Sequence, residues 1–135
     1  MTAGYSKRPL IQKLGIKPGF RLMILNPPPG YEATLGPLPA DVTVATDLTG
    51  PLDFIHFFTQ RRAELEAHFP HLKQALVKDG SLWISWPKGA SKVPTDLNEN
   101  IIREIGLAHG LVDVKVAAVD QVWSGLKFMV RVRDR

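Results

Sequence analysis

Apolar positions along this chain fall into short blocks set apart by proline and glycine, and the spacing within a block changes from one to the next. Arg21 to Leu25 is almost wholly apolar, as is Leu52 to Phe58, the pattern of strands covered on both faces. Both are expected at the centre of a sheet. Lys17-Pro-Gly19 makes a turn ahead of the first, since proline fixes φ and glycine tolerates positive φ. Val42 to Thr46 reads as a strand ending at Asp47, with the turn signal Leu48-Thr-Gly-Pro51 behind it. From Gln60 the period becomes helical, with Leu65, Phe69, Leu72 and Leu76 on one face. Pro70 either kinks that helix or opens a second one, and Lys78-Asp-Gly80 is expected to end it with a left-handed glycine.

Ser81 to Trp86 is a further strand and residues 87–94 a loop. Thr95-Asp96, with Glu99 in a capping-box position, predicts a helix whose buried stripe is Leu97, Ile101, Ile105 and Ala108, closed by Gly110. Val112 to Val119 and Leu126 to Val132 come next, joined by a link too short for anything but an antiparallel hairpin. In the last strand Phe128, Val130 and Val132 alternate with Lys127, Met129, Arg131 and Arg133, which reads as a cationic face blunting an exposed edge. At the other end, Met1 to Arg8 is polar and expected to fray. Pro9 to Leu14 suits one or two helical turns, with Leu10, Ile11 and Leu14 laid over the sheet.

Strands alternating with helices and closing on a hairpin predict a three-layer α/β fold, with a mostly parallel sheet of about six strands. The link between 42–46 and 52–58 is short for a parallel crossover, so an antiparallel hairpin there is the alternative. One domain, 1–135, accounts for the length, which buries roughly two-thirds of the unfolded surface. With 44% hydrophobic and 22% charged residues, neither disorder nor a coiled coil is suggested. No apolar run spans a bilayer, no signal peptide is visible and cysteine is absent, so a cytoplasmic protein is expected. The net charge of +4 is modest and partly terminal, and nucleic-acid binding is not expected.

A nucleotide-binding fold would follow the first strand with a glycine-rich turn, but here stands Asn26-Pro-Pro-Pro-Gly30. Residues 27–39 hold five of the eleven prolines, which limits helix there to a turn around Tyr31 to Leu35. Four stretches nonetheless resemble the Rossmann-like class I S-adenosylmethionine-dependent methyltransferase fold. Ile16 to Leu25 is similar to its lead-in and first strand, and Pro51 to Phe58 to its fourth strand. Leu76 to Ser85 is similar to its fifth strand with the preceding turn, and Ile105 to Val116 to the helix and strand beyond that. Trp86-Pro-Lys88, Trp123-Ser-Gly125 and the length also resemble a family of short bacterial proteins classed as a domain of unknown function.

That resemblance implies a cofactor loop after the first strand, where Pro27, Pro28 and Pro29 remove three amide donors. It also implies a ribose-binding acid after a second strand that is missing here, with Asp47 in the place of the acid after the third. The expectation is a domain that has lost the cofactor loop, holds no cofactor and acts in binding or regulation. The alternatives are an active methyltransferase and a homodimeric interaction module.

Ligands of open parallel sheets bind beyond the carboxyl ends of the strands, which gathers Asn26, Gly30, Tyr31, Asp47, Thr59, Gln60 and Lys88. A loop that simply plugs the crevice is the expected reading; the alternative is a small polar or anionic ligand held by Asn26, Gly30, Tyr31, Asp47 and Lys88. Lys88 with Lys92, ahead of the helix at Thr95, would suit an anion. His56 reads as a core histidine with a hydrogen-bond partner, since no group to orient a general base is evident. His68, His71 and His109 lack zinc-ligand spacing, so no metal and no catalytic residue is assigned. Trp86 and Trp123, at strand ends, are candidate interface anchors or pocket walls.

Overall fold

The computed structural model describes residues 8–135; the expectation for residues 1–7 lies outside them. Its strands are β1 (Arg21–Leu25), β2 (Thr43–Val44), β3 (Leu52–Phe58), β4 (Leu76–Pro87), β5 (Leu111–Ala118) and β6 (Trp123–Val130). The helices are α1 (Leu10–Leu14), α2 (Tyr31–Leu35), α3 (Arg62–Ala75) and α4 (Glu99–Ala108). The strands form one sheet in the order β2-β1-β3-β4-β6-β5, parallel through β4, with β6 antiparallel to both its neighbours.

Two apolar layers enclose this sheet. On one face Ile55, Phe57, Leu82, Ile84, Leu126 and Phe128 pack with Leu65, Phe69 and Leu72 of α3 and Ile102 and Ile105 of α4. On the other, Leu22, Phe54, Phe58 and Trp83 lie beneath Leu10 and Leu14 of α1 and Tyr31 and Leu35 of α2. Alternation along β4 assigns the faces: Ser81, Trp83 and Ser85 point one way, Leu82, Ile84 and Trp86 the other. α1 ends in a Schellman motif, with Gly15 at φ 80, its N–H on Gln12 and the Ile16 N–H on Ile11. That compact end lets the Leu14 carbonyl accept the Trp83 Nε1–H at 2.9 Å.

One alternative falls and four expectations are corrected. β2 pairs in parallel with β1, not with β3, which excludes the hairpin alternative; residues 45–51 cross β1 without a helix. The guanidinium of Arg21 bonds the carbonyls of Thr49 and Pro51 to hold that short connection. α3 runs through Pro70 unbroken and stops at Ala75, and Leu76 to Gly80 belongs to β4. Gly80 is therefore not a helix cap. It lies where an added Cβ would come within 2.9 Å of the Asp53 carbonyl, beside the register shift between β3 and β4. α4 starts two residues later than expected: Asn98 is its cap, bonding the Ile101 N–H at 2.9 Å, and its stripe shifts to Ile102, Ile105 and Gly106. Asp96 instead accepts the Arg62 N–H at the start of α3, at 2.7 Å. Finally, the last strand is internal, because β6 lies between β4 and β5, and β5 is the edge.

Candidate functional site

Strand order reverses between β1 and β3, since the chain leaves β1 for β2 on one side and returns to β3 on the other. In such a sheet the ligand crevice opens between the carboxyl ends of those two strands. Here that opening is bridged twice. Asn26, in the left-handed region at φ 55, donates its Nδ2–H to the Phe58 carbonyl at 3.3 Å. Behind it α2, only five residues long, turns the Tyr31 ring into the face that carries β3.

Tyr31 belongs to a buried polar chain. Its hydroxyl lies 2.7 Å from His56 Nδ1, and His56 Nε2 lies 2.7 Å from Ser85 Oγ. Tyr31 is 3% exposed, and His56 and Ser85 not at all. Burial drives the His56 imidazole down to about 3 and the Tyr31 phenol upward, so both are neutral near pH 7. In a neutral imidazole one nitrogen donates and the other accepts, so Tyr31 and Ser85 satisfy opposite requirements. Phe58 stacks on His56 with centroids 4.1 Å apart, and Tyr31 meets Phe58 edge-on at 5.0 Å. A hydroxyl beside a histidine has the composition of an activated nucleophile, but Ser85 and His56 offer no surface to a substrate. Their chemistry is that of a satisfied core.

The residues expected to share one ligand make separate contacts. Gly30 and Tyr31, with Pro27, Pro28, Glu32 and Ala33, line an open hollow of about 430 Å³. Gln60 lines another of about 370 Å³ with Arg61, Pro94, Thr95 and Asp96, where its side-chain amide donates to the Pro94 carbonyl. Neither hollow includes Asn26, Asp47 or Lys88. Asp47 is exposed and accepts the Thr49 hydroxyl, while Lys88 reaches 2.9 Å to the Asp120 carbonyl beside the β5–β6 turn. Thr59 is buried and donates to Glu64 at 2.5 Å. Pro27 and Pro29 are themselves exposed, so the group filling the face is Tyr31 rather than the prolines.

Trp86 is 6% exposed within the core, and Trp123 is half-buried with its ring edge-on to Phe58 at 5.2 Å. Among the described residues no group of three or more histidine, cysteine, aspartate or glutamate side chains could hold a metal, and no helix is long and apolar enough to cross a membrane. Sequence reasoning singled out His56 and Tyr31 separately. It could not join them, because 25 residues and a proline loop separate partners that meet only across the sheet face.

No family model matches the chain, and no curated protein matches it. Solved structures do match. A SAM-dependent methyltransferase from Aquifex aeolicus superposes with a TM-score of 0.62 at 16% identity, over 90% of this chain and 87% of that one. The N-methyltransferase NodS from Bradyrhizobium japonicum WM9 gives 0.59 at 14% identity, over 88% and 90%. TrmN from Thermus thermophilus gives 0.57 at 11% identity; 90% of this chain is covered, but it spans only 47% of TrmN. At such identities the likeness is one of architecture: the chain has the α/β fold of the SAM-dependent methyltransferases, six strands closing on an antiparallel hairpin.

Proposed function

We propose that the chain is a methyltransferase-like domain that works by binding rather than by methyl transfer, with its ancestral cofactor crevice closed by the loop after β1. The observation that carries this reading is the double bridge over the β1–β3 opening, Asn26 to Phe58 and Tyr31 to His56. Pro27, Pro28 and Pro29 add to it, because a segment without amide donors cannot donate backbone hydrogen bonds to the acceptor groups of a nucleoside cofactor. Isothermal titration with S-adenosylmethionine and its demethylated product tests it. No saturable heat is expected up to hundreds of micromolar ligand; a dissociation constant in the micromolar range overturns the reading.

An active methyltransferase is the second reading, favoured by β2. Asp47 follows the strand paired directly with β1, the neighbour after which the family's ribose-binding acid stands, rather than a strand one place further out. If the titration shows micromolar binding, Asp47→Ala should abolish it.

A further inference from the structure

The sheet ends in two edges of different kinds. One is β2, only two residues long and so a poor template for further pairing. The other is β5, eight residues without proline, paired among the described residues on one side alone, with β6. Val114 and Val116 stand on it 49% and 46% exposed. Charged side chains ordinarily guard such an edge, but the two on β5 are turned back onto their own chain. Asp113 accepts the Arg103 Nε–H and the Lys115 ammonium donates to the Lys13 carbonyl, each at 2.9 Å.

A register shift between Asp113 and Lys115 interrupts the ladder, which leaves residues 114–118 as the regular part of the edge. Just beyond it the Val119 N–H bonds the Trp123 carbonyl at 2.9 Å, in the same register as Ala117 with Gly125 and Lys115 with Lys127. Hydrogen-bonded positions alternate along an antiparallel pair, so Lys115 and Ala117 direct their backbone groups at β6, and those of Val114, Val116 and Ala118 point outward. Side chains alternate with the same period. Lys115 reaches α1 and Ala117 packs on the α1 layer, which puts Val114, Val116 and Ala118 together on the α4 face. The residues with outward backbone groups thus include both exposed valines.

This stretch matches a copy of itself. In an antiparallel pair about a twofold axis, outward residues meet outward residues and each face continues into its own. An axis at Val114 runs into the register shift, and one at Lys115 opposes two like charges. An axis at Ala117 pairs only residues 116–118 within the strand. At Val116 all five residues pair: Val116 with its own counterpart, Lys115 with Ala117 and Val114 with Ala118, with no charge opposite another. We propose that two copies of the chain join through β5, antiparallel about Val116, so that one sheet continues into the other. A second copy fits better than an unrelated strand, because this register uses every outward group of residues 114–118 and sets Val116 against Val116. The proposal goes beyond the reading above and does not depend on it, since the β1–β3 opening lies elsewhere in the sheet.

The test is sedimentation equilibrium of the full chain from low to hundreds of micromolar, joined to cysteine cross-linking. Wild type should show a monomer–dimer equilibrium. Val116→Lys opposes two ammonium groups at the axis and should raise the dimer dissociation constant about tenfold or more, whereas Val116→Thr, β-branched and uncharged, should stay close to wild type. Val44→Lys, at the exposed valine of the other edge, should change nothing. The chain has no cysteine, so a single introduced one reports the register. Residues opposed in a hydrogen-bonded pair have Cα atoms about 5.5 Å apart, within the span of a disulfide, so Val116→Cys should oxidise to a covalent dimer. Val114→Cys, about 14 Å from its counterpart across the same axis, should stay reduced. A monomer at every concentration, which would leave the edge to a strand of another protein, overturns the proposal. So does a dissociation constant unchanged by Val116→Lys, or cross-linking of Val114→Cys ahead of Val116→Cys.

Discussion

Tyr31→Phe isolates the Tyr31–His56–Ser85 chain, because it removes one oxygen and keeps the ring against Phe58. It leaves His56 Nδ1 without a partner at a position with no exposure, a loss that costs about 1–3 kcal/mol. For a chain of this size that lowers Tm by roughly 4–12 °C, readable by calorimetry at pH 7. Replacing all three partners by apolar groups, as Tyr31→Phe with His56→Leu and Ser85→Ala, should recover much of the loss, since no buried polar atom of the chain then lacks a bond. The pH dependence supplies an independent check. His56 is held at about 3 in the fold against 6.5 when unfolded, so the unfolded chain takes up the proton first as pH falls. The stabilisation from neutral His56 is therefore fully present above 6.5 and declines toward 3, by about 1.4 kcal/mol per pH unit. The triple variant lacks this group, and its stability relative to wild type should rise at that slope as pH drops from about 6 to about 4. A Tyr31→Phe melt within about 1 °C of wild type, or equal pH slopes for wild type and triple variant, would refute the reasoning.

Other substitutions test the corrected elements. Gly106→Ala would set a Cβ 2.1 Å from the Phe128 ring; overpacking of about 1–3 kcal/mol should outweigh the roughly 1 kcal/mol gain in helix propensity, lowering the urea midpoint. Gly80→Asn separates the two roles for that residue. A left-handed helix cap would tolerate it, whereas the close approach to the Asp53 carbonyl predicts a loss above about 1 kcal/mol by denaturant titration. Asn98→Ala and Asp96→Ala should each cost about 1 kcal/mol in the same assay, the first by uncapping α4 and the second by uncapping α3; a silent Asp96→Ala would show that Asp96 caps neither helix.

Much of the architecture was legible along the chain. The apolar runs at 21–25 and 52–58 and the helical turn at 31–35 appear at those bounds, because local apolar density and proline placement determine them without help from elsewhere. The closing hairpin was evident from link length alone. What the sequence could not determine are properties of neighbours. Asp96 and Thr95 stand at helical spacing from Glu99, yet Asp96 caps α3 and Thr95 donates to the Gln60 carbonyl, because the start of α3 lies alongside and its amides need partners as much as those of α4 do. Leu76 continues the periodicity of α3, but pairing with Leu52 draws it into β4, since a ladder bond outweighs one more turn of weak helix. The pairing of β2 with β1 rather than β3 also depends on sheet order, which spacing does not encode. The lysines show this most clearly. Read along β6, Lys127 is one of several alternating cations on an edge; β5 takes the edge instead, and Lys127 stands directly opposite Lys115. Charge is written in the sequence, but whether it meets water, a carboxylate or another charge is decided only when strands far apart in the chain are laid side by side.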